Sequence, residues 1–321
     1  ASMKVFVTGA TGFVGSHVSE LLLARGECVI GLDNFDPYYD PRFKRRNLAQ
    51  VAARPNFAFV EADIRDSALV SNAIREHGAD RVVHLAALAG VRASINRAND
   101  YVSVNVTGTV NVLDAARAAN VKQMVFISTS SVYGATARIP FVEDDPAGQP
   151  LAPYPVSKRA AELMAYSYHN LFNQPIAVVR LFSVYGPRGR PDMMPYQVAY
   201  SIAKGKPIPL FNNGQMHRDW TYVGDIAAGI VGALDHAGGF DIYNLGRGEP
   251  VLMADFVNIL EELIGKPAII DDVPAPPSEP PITYADVSRA RAAFGYNPGV
   301  SVAEGLEKFW AWFREQPELA S

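Results

Sequence analysis

Cysteine is almost absent from this chain: Cys28 is the only one among 321 residues. No internal disulfide can form, which excludes a disulfide-stapled scaffold and fits a reducing compartment. Cys28 lies in the apolar run Cys28-Val29-Ile30, where a packed core thiol is the plain reading. Long hydrophobic runs are missing too. No stretch approaches the ~18 uncharged apolar residues of a membrane span, and a strand pattern begins within the first residues, leaving no room for a signal peptide. Ala1-Ser2 ahead of Met3 reads as a cloning remnant and is set aside. A soluble, cytoplasmic protein is the expectation. A basic surplus is also lacking, because 29 Lys and Arg face 33 Asp and Glu for a net charge of −4. That argues against a nucleic-acid binder, which needs cations spread over a wide surface, whereas one small anionic ligand needs only a few. The six histidines include no ligand-like spacing such as His-Glu-x-x-His, so no metal site is expected. His84, inside a strand pattern, reads as a satisfied core residue.

Apolar residues, by contrast, make up 49% of the chain, enough for a sizeable core. Short runs rich in Val, Ile and Phe, at 4–7, 28–32, 57–61, 81–86, 124–128 and 177–181, read as strands. Between the first two, Val14, Val18, Leu21 and Leu22 recur at helical spacing until Gly26 closes the helix. Continuous apolar strands alternating with helices imply an α/β fold, a Rossmann-type doubly wound parallel sheet covered on both faces. Ligands of such sheets sit outside the carboxyl ends of the strands, which places 8–15, Asp33, 86–92 and 128–131 along one crevice. After Leu181 the character changes: Gly and Pro punctuate 186–209, and 274–281 holds five prolines. A smaller, mixed α/β C-terminal substrate domain is expected from 181–220 plus 247–318. The strand near 240–245 is expected to return to the sheet of the first domain, 3–180 plus about 221–246.

The first strand runs into Thr8-Gly9-Ala10-Thr11-Gly12-Phe13-Val14-Gly15 and then a helix. Gly9, Gly12 and Gly15 let the backbone turn tightly and approach a pyrophosphate, whose charge meets the helix N-terminus beside Phe13 and Val14. Such turns also arise from packing alone. Here an acid, Asp33, stands at the end of the second strand, 18 residues past Gly15. Its carboxylate can accept from both ribose hydroxyls of NAD and would repel the 2′-phosphate of NADP, with Asn34 beside it; the plain alternative is a turn former. Asp63 and Ile64 follow the third strand toward the adenine, and Ala86-Ala87 offer small walls beside the nicotinamide.

The spacing of three between glycines resembles the extended short-chain dehydrogenase/reductase family, and the resemblance predicts a Tyr-x-x-x-Lys further on. Tyr154-Pro155-Val156-Ser157-Lys158 supplies it, ahead of the helical pattern 161–168 and with Ser128-Thr129 upstream. At i, i+4 Tyr154 and Lys158 share a helix face, and a nearby ammonium is expected to lower the tyrosine from its usual pKa of about 10. The phenolate then takes a proton from a sugar hydroxyl while hydride leaves the same carbon for NAD. Thr129 relays that hydrogen bond or merely caps a strand end. By resemblance Ser128 and Asn105 belong to the cofactor site, Asn105 supporting the active-site helix; a plain helix-surface Asn is the alternative.

Asp33-Asn34-Phe35-Asp36-Pro37-Tyr38-Tyr39-Asp40, Ala89-Gly90-Val91-Arg92, Tyr185-Gly186-Pro187-Arg188-Gly189-Arg190-Pro191-Asp192, Arg218-Asp219-Trp220-Thr221-Tyr222 and Thr283-Tyr284-Ala285-Asp286 narrow the resemblance to UDP-sugar 4-epimerases acting on glucuronate. That resemblance implies Arg218 at the UDP phosphates and Arg190 near the sugar. Related dehydratases and decarboxylases carry acids after the Thr or Ser, where this chain has Thr129-Ser130-Ser131. Hydroxyls alone favour oxidation and re-reduction at C4 with nothing more done to the ring. Ser130, Ser131 and Ser183 are the candidate hydroxyls around the uronate carboxylate, with Arg190 or Arg92 as balancing charge. The chain departs from the family in three places. Pro155 follows Tyr154 and requires a helix's first turn there. Arg188 replaces a frequent aromatic. Pro276-Pro277-Ser278-Glu279-Pro280 replaces a Pro-Gly-Asp segment, leaving Glu279 as candidate ribose acid. A neutral-sugar epimerase, a decarboxylase and a non-catalytic NAD-binding sensor remain alternatives. Family dimers imply a homodimer through helices such as 102–119 and 160–172.

Overall fold

The computed structural model describes residues 2–136, 138–277 and 279–320. Six strands follow one another through the first half: β1 (Lys4–Thr8), β2 (Cys28–Asp33), β3 (Phe57–Glu61), β4 (Arg81–His84), β5 (Gln123–Thr129) and β6 (Ile176–Leu181). A seventh, Phe240–Leu245, returns to pair with β6. All pair in parallel, in the order seventh, β6, β5, β4, β1, β2, β3. The sheet's alternation explains its two cores. Val5, Val7, Val83, Val125 and Val179 face α1 (Phe13–Ala24) and helix Val223–Asp235. Phe6, Ile30, Val82, Phe126 and Val178 face helices Ser67–His77, Gly108–Ala118 and Pro153–Phe172. Both faces are therefore dry, which parallel pairing requires.

The strand order reverses between β1 and β4, and that point opens a crevice at the carboxyl edge. The predicted fourth strand runs to residue 86, but the ladder stops at His84. Leu85 N still reaches Thr8 O at 3.2 Å, but the Thr8 hydroxyl accepts from Leu85 N and Ala86 N, both at 3.1 Å, and this side chain takes Ala86 N out of the ladder. Helix Pro153–Phe172 begins after extended Ala152, so Pro155 falls in the first turn, where its missing N–H costs no helical bond.

Beyond β6 the chain builds a second packing unit. Strand Pro207–Phe211 pairs in parallel with Ile269–Val273. Helices Met194–Lys204, Met253–Ile264 and Val302–Phe313 enclose Tyr185, Tyr196, Trp220, Phe256, Phe309 and Phe313. Phe43, from the helix after β2, joins this cluster and ties the two halves together. Among the described residues no helix is long and apolar enough to cross a membrane.

Candidate active site

A single cleft runs along the carboxyl edge of β1, β2, β4, β5 and β6. At one end it is lined by the three glycines. Gly9 has φ +68°, and a Cβ there would lie 2.9 Å from Ala86 N. A Cβ on Gly15 would lie 1.9 Å from Gly9 O, so the loop and α1 close only around glycine. Gly12 caps α1 without a side-chain hydrogen bond, and the first turn carries no acid. A helix start left this way satisfies an anion with its free amides. The cradle fits a pyrophosphate.

Asp33 is buried, and its carboxylate accepts from Thr11 N at 3.2 Å and Phe35 N at 3.0 Å. Asn34 Nδ2 donates to Asp63 Oδ2 at 3.3 Å, which links the ends of β2 and β3. Asp63, Ile64, Ala86 and Ala87 line the cleft with them. Asn105 does not line it. The cofactor contact expected of this residue is corrected by its bonds: Oδ1 accepts from Leu88 N at 2.8 Å, and Nδ2 donates to Leu88 O and Ser157 Oγ, both at 2.9 Å. A π-helical stretch, Val102–Thr107, turns Asn105 inward, where it pins the loop after β4 to helix Pro153–Phe172.

His84 is a core residue with every nitrogen satisfied. Thr109 Oγ1 donates to Asn105 O at 2.6 Å, so it accepts from His84 Nε2 at 2.9 Å. Nδ1 is then the acceptor for the Thr8 hydroxyl at 2.6 Å. Burial, with the Lys158 cation second, pushes this neutral ring down to about 3. Among the described residues no group of three or more His, Cys, Asp or Glu is placed to hold a metal ion.

Ser128, Thr129, Tyr154 and Lys158 meet at the β5 end of the same cleft. Ser128 Oγ donates to the buried Glu162, which also binds Arg180 through Nε at 3.1 Å and Nη2 at 2.7 Å. Burial raises the Tyr154 phenol, and the groups that oppose this are the Arg190 guanidinium and a hydrogen bond with Thr129. Lys158 is buried with its Nζ 4.6 Å from the Phe126 ring centroid. Desolvation brings it down to about 7, against an upward pull from Glu162.

Ser183 and Arg190 line the cleft beside Tyr154. Five expected substrate residues do not. Ser130 and Ser131 start a short 3-10 turn beyond Thr129, and Ser131 Oγ lies 2.9 Å from Thr129 Oγ1, one side chain back from the cleft. Arg92 stacks 4.6 Å over the Phe211 ring. Arg218 donates to Glu279 Oε2 at 2.9 Å and to Pro280 O at 2.9 Å, so the two nucleotide candidates are bonded to each other. Pro280 offers a carbonyl and no N–H, and the Glu279 amide is already spent on Pro276 O at 2.9 Å.

This architecture has close counterparts. The model of the NAD dependent epimerase/dehydratase family matches residues 5–246. The chain belongs to that family. It is 40% identical over 314 residues, 98% of this chain and 97% of the other, to a UDP-glucuronate 4-epimerase of Thermodesulfobacterium geofontis. The crystal structure of a UDP-glucuronic acid 4-epimerase from Bacillus cereus with UDP-glucuronic acid and NAD superposes with TM-score 0.90 at 34% identity, covering 98% of this chain and 99% of that one. A dTDP-glucose 4,6-dehydratase from Streptomyces venezuelae also reaches TM-score 0.90, at 31% identity and 98% of each chain. Epimerase/dehydratase members with different chemistries thus share this backbone, and side chains must separate them.

Three side chains at this site had been assigned no role from the sequence, although Tyr39 and Asp192 stand in the segments that carry the resemblance. Lys44 lines the cleft with Nζ 3.8 Å from Asp33 Oδ1, and Tyr39 lines it nearby. Asp192 binds Arg190 at two points, through Nε at 3.0 Å and Nη2 at 2.7 Å. Lys44-Arg45-Arg46 was a visible basic cluster following Tyr38-Tyr39-Asp40. Its approach to Asp33 depends on how helix Pro41–Ala49 folds back, which no local pattern encodes.

Proposed function

We propose that this chain interconverts UDP-glucuronate and UDP-galacturonate by NAD-dependent epimerisation at C4. The observation that carries the reading is the make-up of the cleft at Tyr154. Hydroxyls and Arg190 stand there, while the acids that line the cleft, Asp33, Asp36 and Asp63, follow β2 and β3 at the other end. A dehydratase needs a carboxyl group beside the oxidised ring for proton transfer, and a dedicated decarboxylase gains from one in protonating the enol that CO₂ loss leaves. An epimerase needs none. The named relatives support the same assignment.

Gly9, Gly12, Gly15 and the start of α1 would hold the pyrophosphate, with Asp33 at the adenosine ribose and Ala86 and Ala87 beside the nicotinamide. When bound, NAD supplies an acceptor that takes the C4 hydride and returns it, so no net oxidation occurs. Tyr154 removes the proton from the C4 hydroxyl and later gives it back. Thr129 and Arg190 both favour the phenolate form of Tyr154, Arg190 by its charge. The 4-keto uronate is a β-keto acid that loses CO₂ once its carboxylate bond aligns with the carbonyl π system. Ser183 and Arg190 hold that carboxylate out of alignment while the ring turns over. Residues 3–180 with about 221–246 carry the cofactor, and 181–220 with 247–318 carry the nucleotide sugar.

The chain acts as a homodimer in this reading. Helix Pro153–Phe172 leaves Val156, Leu163, Tyr166 and Leu171 exposed, and Ile95 and Val102 are exposed on the neighbouring segment. A second copy related by a two-fold axis would cover this self-complementary apolar face.

The function is tested by incubating purified protein with UDP-glucuronate without added NAD and separating the sugar nucleotides. UDP-galacturonate is the expected product. A UDP-pentose as main product, or turnover of UDP-glucose with none of the uronate, would overturn the assignment.

A further inference from the structure

Among the described residues Arg190 is the cation whose charge acts on Tyr154, and how it is held is unusual. Arg190, Pro191, Asp192 and Met193 form a closed turn in which Met193 N donates to Arg190 O at 3.1 Å. Pro191 occupies the second position, where its fixed φ favours such turns. The turn sets the Asp192 carboxylate against the guanidinium of its own first residue. Nε and Nη2 are both spent on it, at 3.0 and 2.7 Å. Nη1 has no hydrogen-bond partner among the described residues, and the side chain lines the cleft.

Asp192 also faces Tyr38: burial first and then the Asp192 charge raise the Tyr38 phenol, and the Arg190 guanidinium lies 5.7 Å from the Tyr38 ring. Tyr38 cannot back away, because Gly90 sits so close that a Cβ there would fall 2.4 Å from the Tyr38 hydroxyl. Tyr38 belongs to the loop that leaves β2 after Asp33. Its turns are closed by side-chain bonds from Asp36 N to Asn34 Oδ1 at 3.1 Å and from Tyr38 N to Asp36 Oδ1 at 2.8 Å.

We infer that Asp192 is a positioning residue that sets the product outcome: it fixes Arg190 at two points so that Nη1 forms a stationary anchor for the uronate carboxylate, and Tyr38 locks Asp192 in place from the cofactor-side loop. This rests on the reading that Arg190 grips the carboxylate. An arginine free to swing would follow the sugar as it turns over and let the carboxylate reach the alignment that releases CO₂. A guanidinium held by a fork cannot follow it, because planar two-point pairing fixes direction as well as distance.

The test uses four variants of the full-length protein: Arg190→Ala, Asp192→Asn, Asp192→Glu and Tyr38→Phe. Four readouts are taken: KM and kcat for UDP-glucuronate, Kd for UDP alone, and the ratio of UDP-pentose to UDP-galacturonate formed. Asp192→Asn keeps shape but loses one acceptor and the charge. It should raise KM for UDP-glucuronate roughly 10-fold or more, the range expected for a charged hydrogen bond, leave the Kd for UDP within about twofold, and raise the pentose share. Asp192→Glu should recover part of the product ratio, a rescue that a purely structural aspartate would not give. Tyr38→Phe should shift the ratio the same way by less, and it stands in if the Asn variant fails to fold. Loss of uronate affinity in Arg190→Ala with unchanged KM and ratio in Asp192→Asn and Tyr38→Phe would overturn the positioning role alone. Unchanged uronate affinity and ratio in Arg190→Ala would instead remove the carboxylate anchor on which it rests.

Discussion

At Tyr154 two effects of opposite sign meet. Partial burial raises the phenol, while Arg190 and Thr129 favour the phenolate. Tyr154→Phe removes the ionisable group and keeps the ring that packs edge-on against Tyr101. We predict a fall in kcat of roughly 10²–10⁴-fold with the melting temperature within a few degrees of the parent; near-normal turnover would show that another group moves the proton. His17 and His84 bear on stability instead. Burial pushes His17 down to about 4, even though its Nε2 reaches Pro187 O at 2.7 Å, and His84 down to about 3. The unfolded chain takes up these protons near pH 6.5, so between 6.5 and the folded values the unfolded state holds more of them. Stability therefore drains as pH falls from 6.5, on the order of 2 kcal/mol per histidine by pH 5. Urea midpoints at pH 7 and pH 5 measure the loss. His17→Gln keeps a side-chain donor but does not titrate, and it should shrink that loss; an equal loss in the variant would remove His17 from the account.

Elements were legible wherever period and punctuation agree. The run at 28–32 is a strand because apolar residues fill positions buried on both faces, 57–61 is its half-buried edge neighbour, and α1 starts at its glycine turn and ends before Gly26. What the pattern could not show was the early end of β4, which a threonine hydroxyl on another strand decides, or the π-helical stretch that turns Asn105 inward. Both are tertiary events carried by single side chains. The glycine turn allows a sharp test. Gly15→Ala drives a Cβ to 1.9 Å from the Gly9 carbonyl oxygen, so backbone must move. We predict a loss of ~1–3 kcal/mol together with weaker retention of NAD than the parent is expected to show. Gly148→Ala, with open space around its Cβ, is the control and should change neither. Full NAD retention in Gly15→Ala would mean the loop reshapes without cost to the cradle.

Across the whole molecule, the residues hardest to place from sequence are those whose partners lie far along the chain. Arg218 and Glu279 are 61 positions apart and bond to each other, although each was expected on the nucleotide. Thr129 and Ser183 meet because the parallel sheet brings strand ends to one edge, which was readable from topology, whereas Tyr154 and Arg190, on a helix and a turn, were expected there only by family resemblance. Association extends the same reasoning to a second copy. Leu163, Tyr166 and Leu171 lie on the outer side of the helix whose first turn carries Tyr154 and Lys158, and burying large apolar side chains removes them from water at about 25 cal/mol per Å². A charge in that face would have to be desolvated twice, once from each copy, at a symmetric interface. Leu163→Glu should therefore yield monomer in sedimentation at micromolar concentration, while the parent sediments as a dimer. Because the helix is anchored from inside by Asn105 and Ser157, the monomer should still bind UDP, with lower thermal stability. A parent that sediments as a monomer, or a Leu163→Glu variant that stays dimeric, would place the subunit contact elsewhere or remove it.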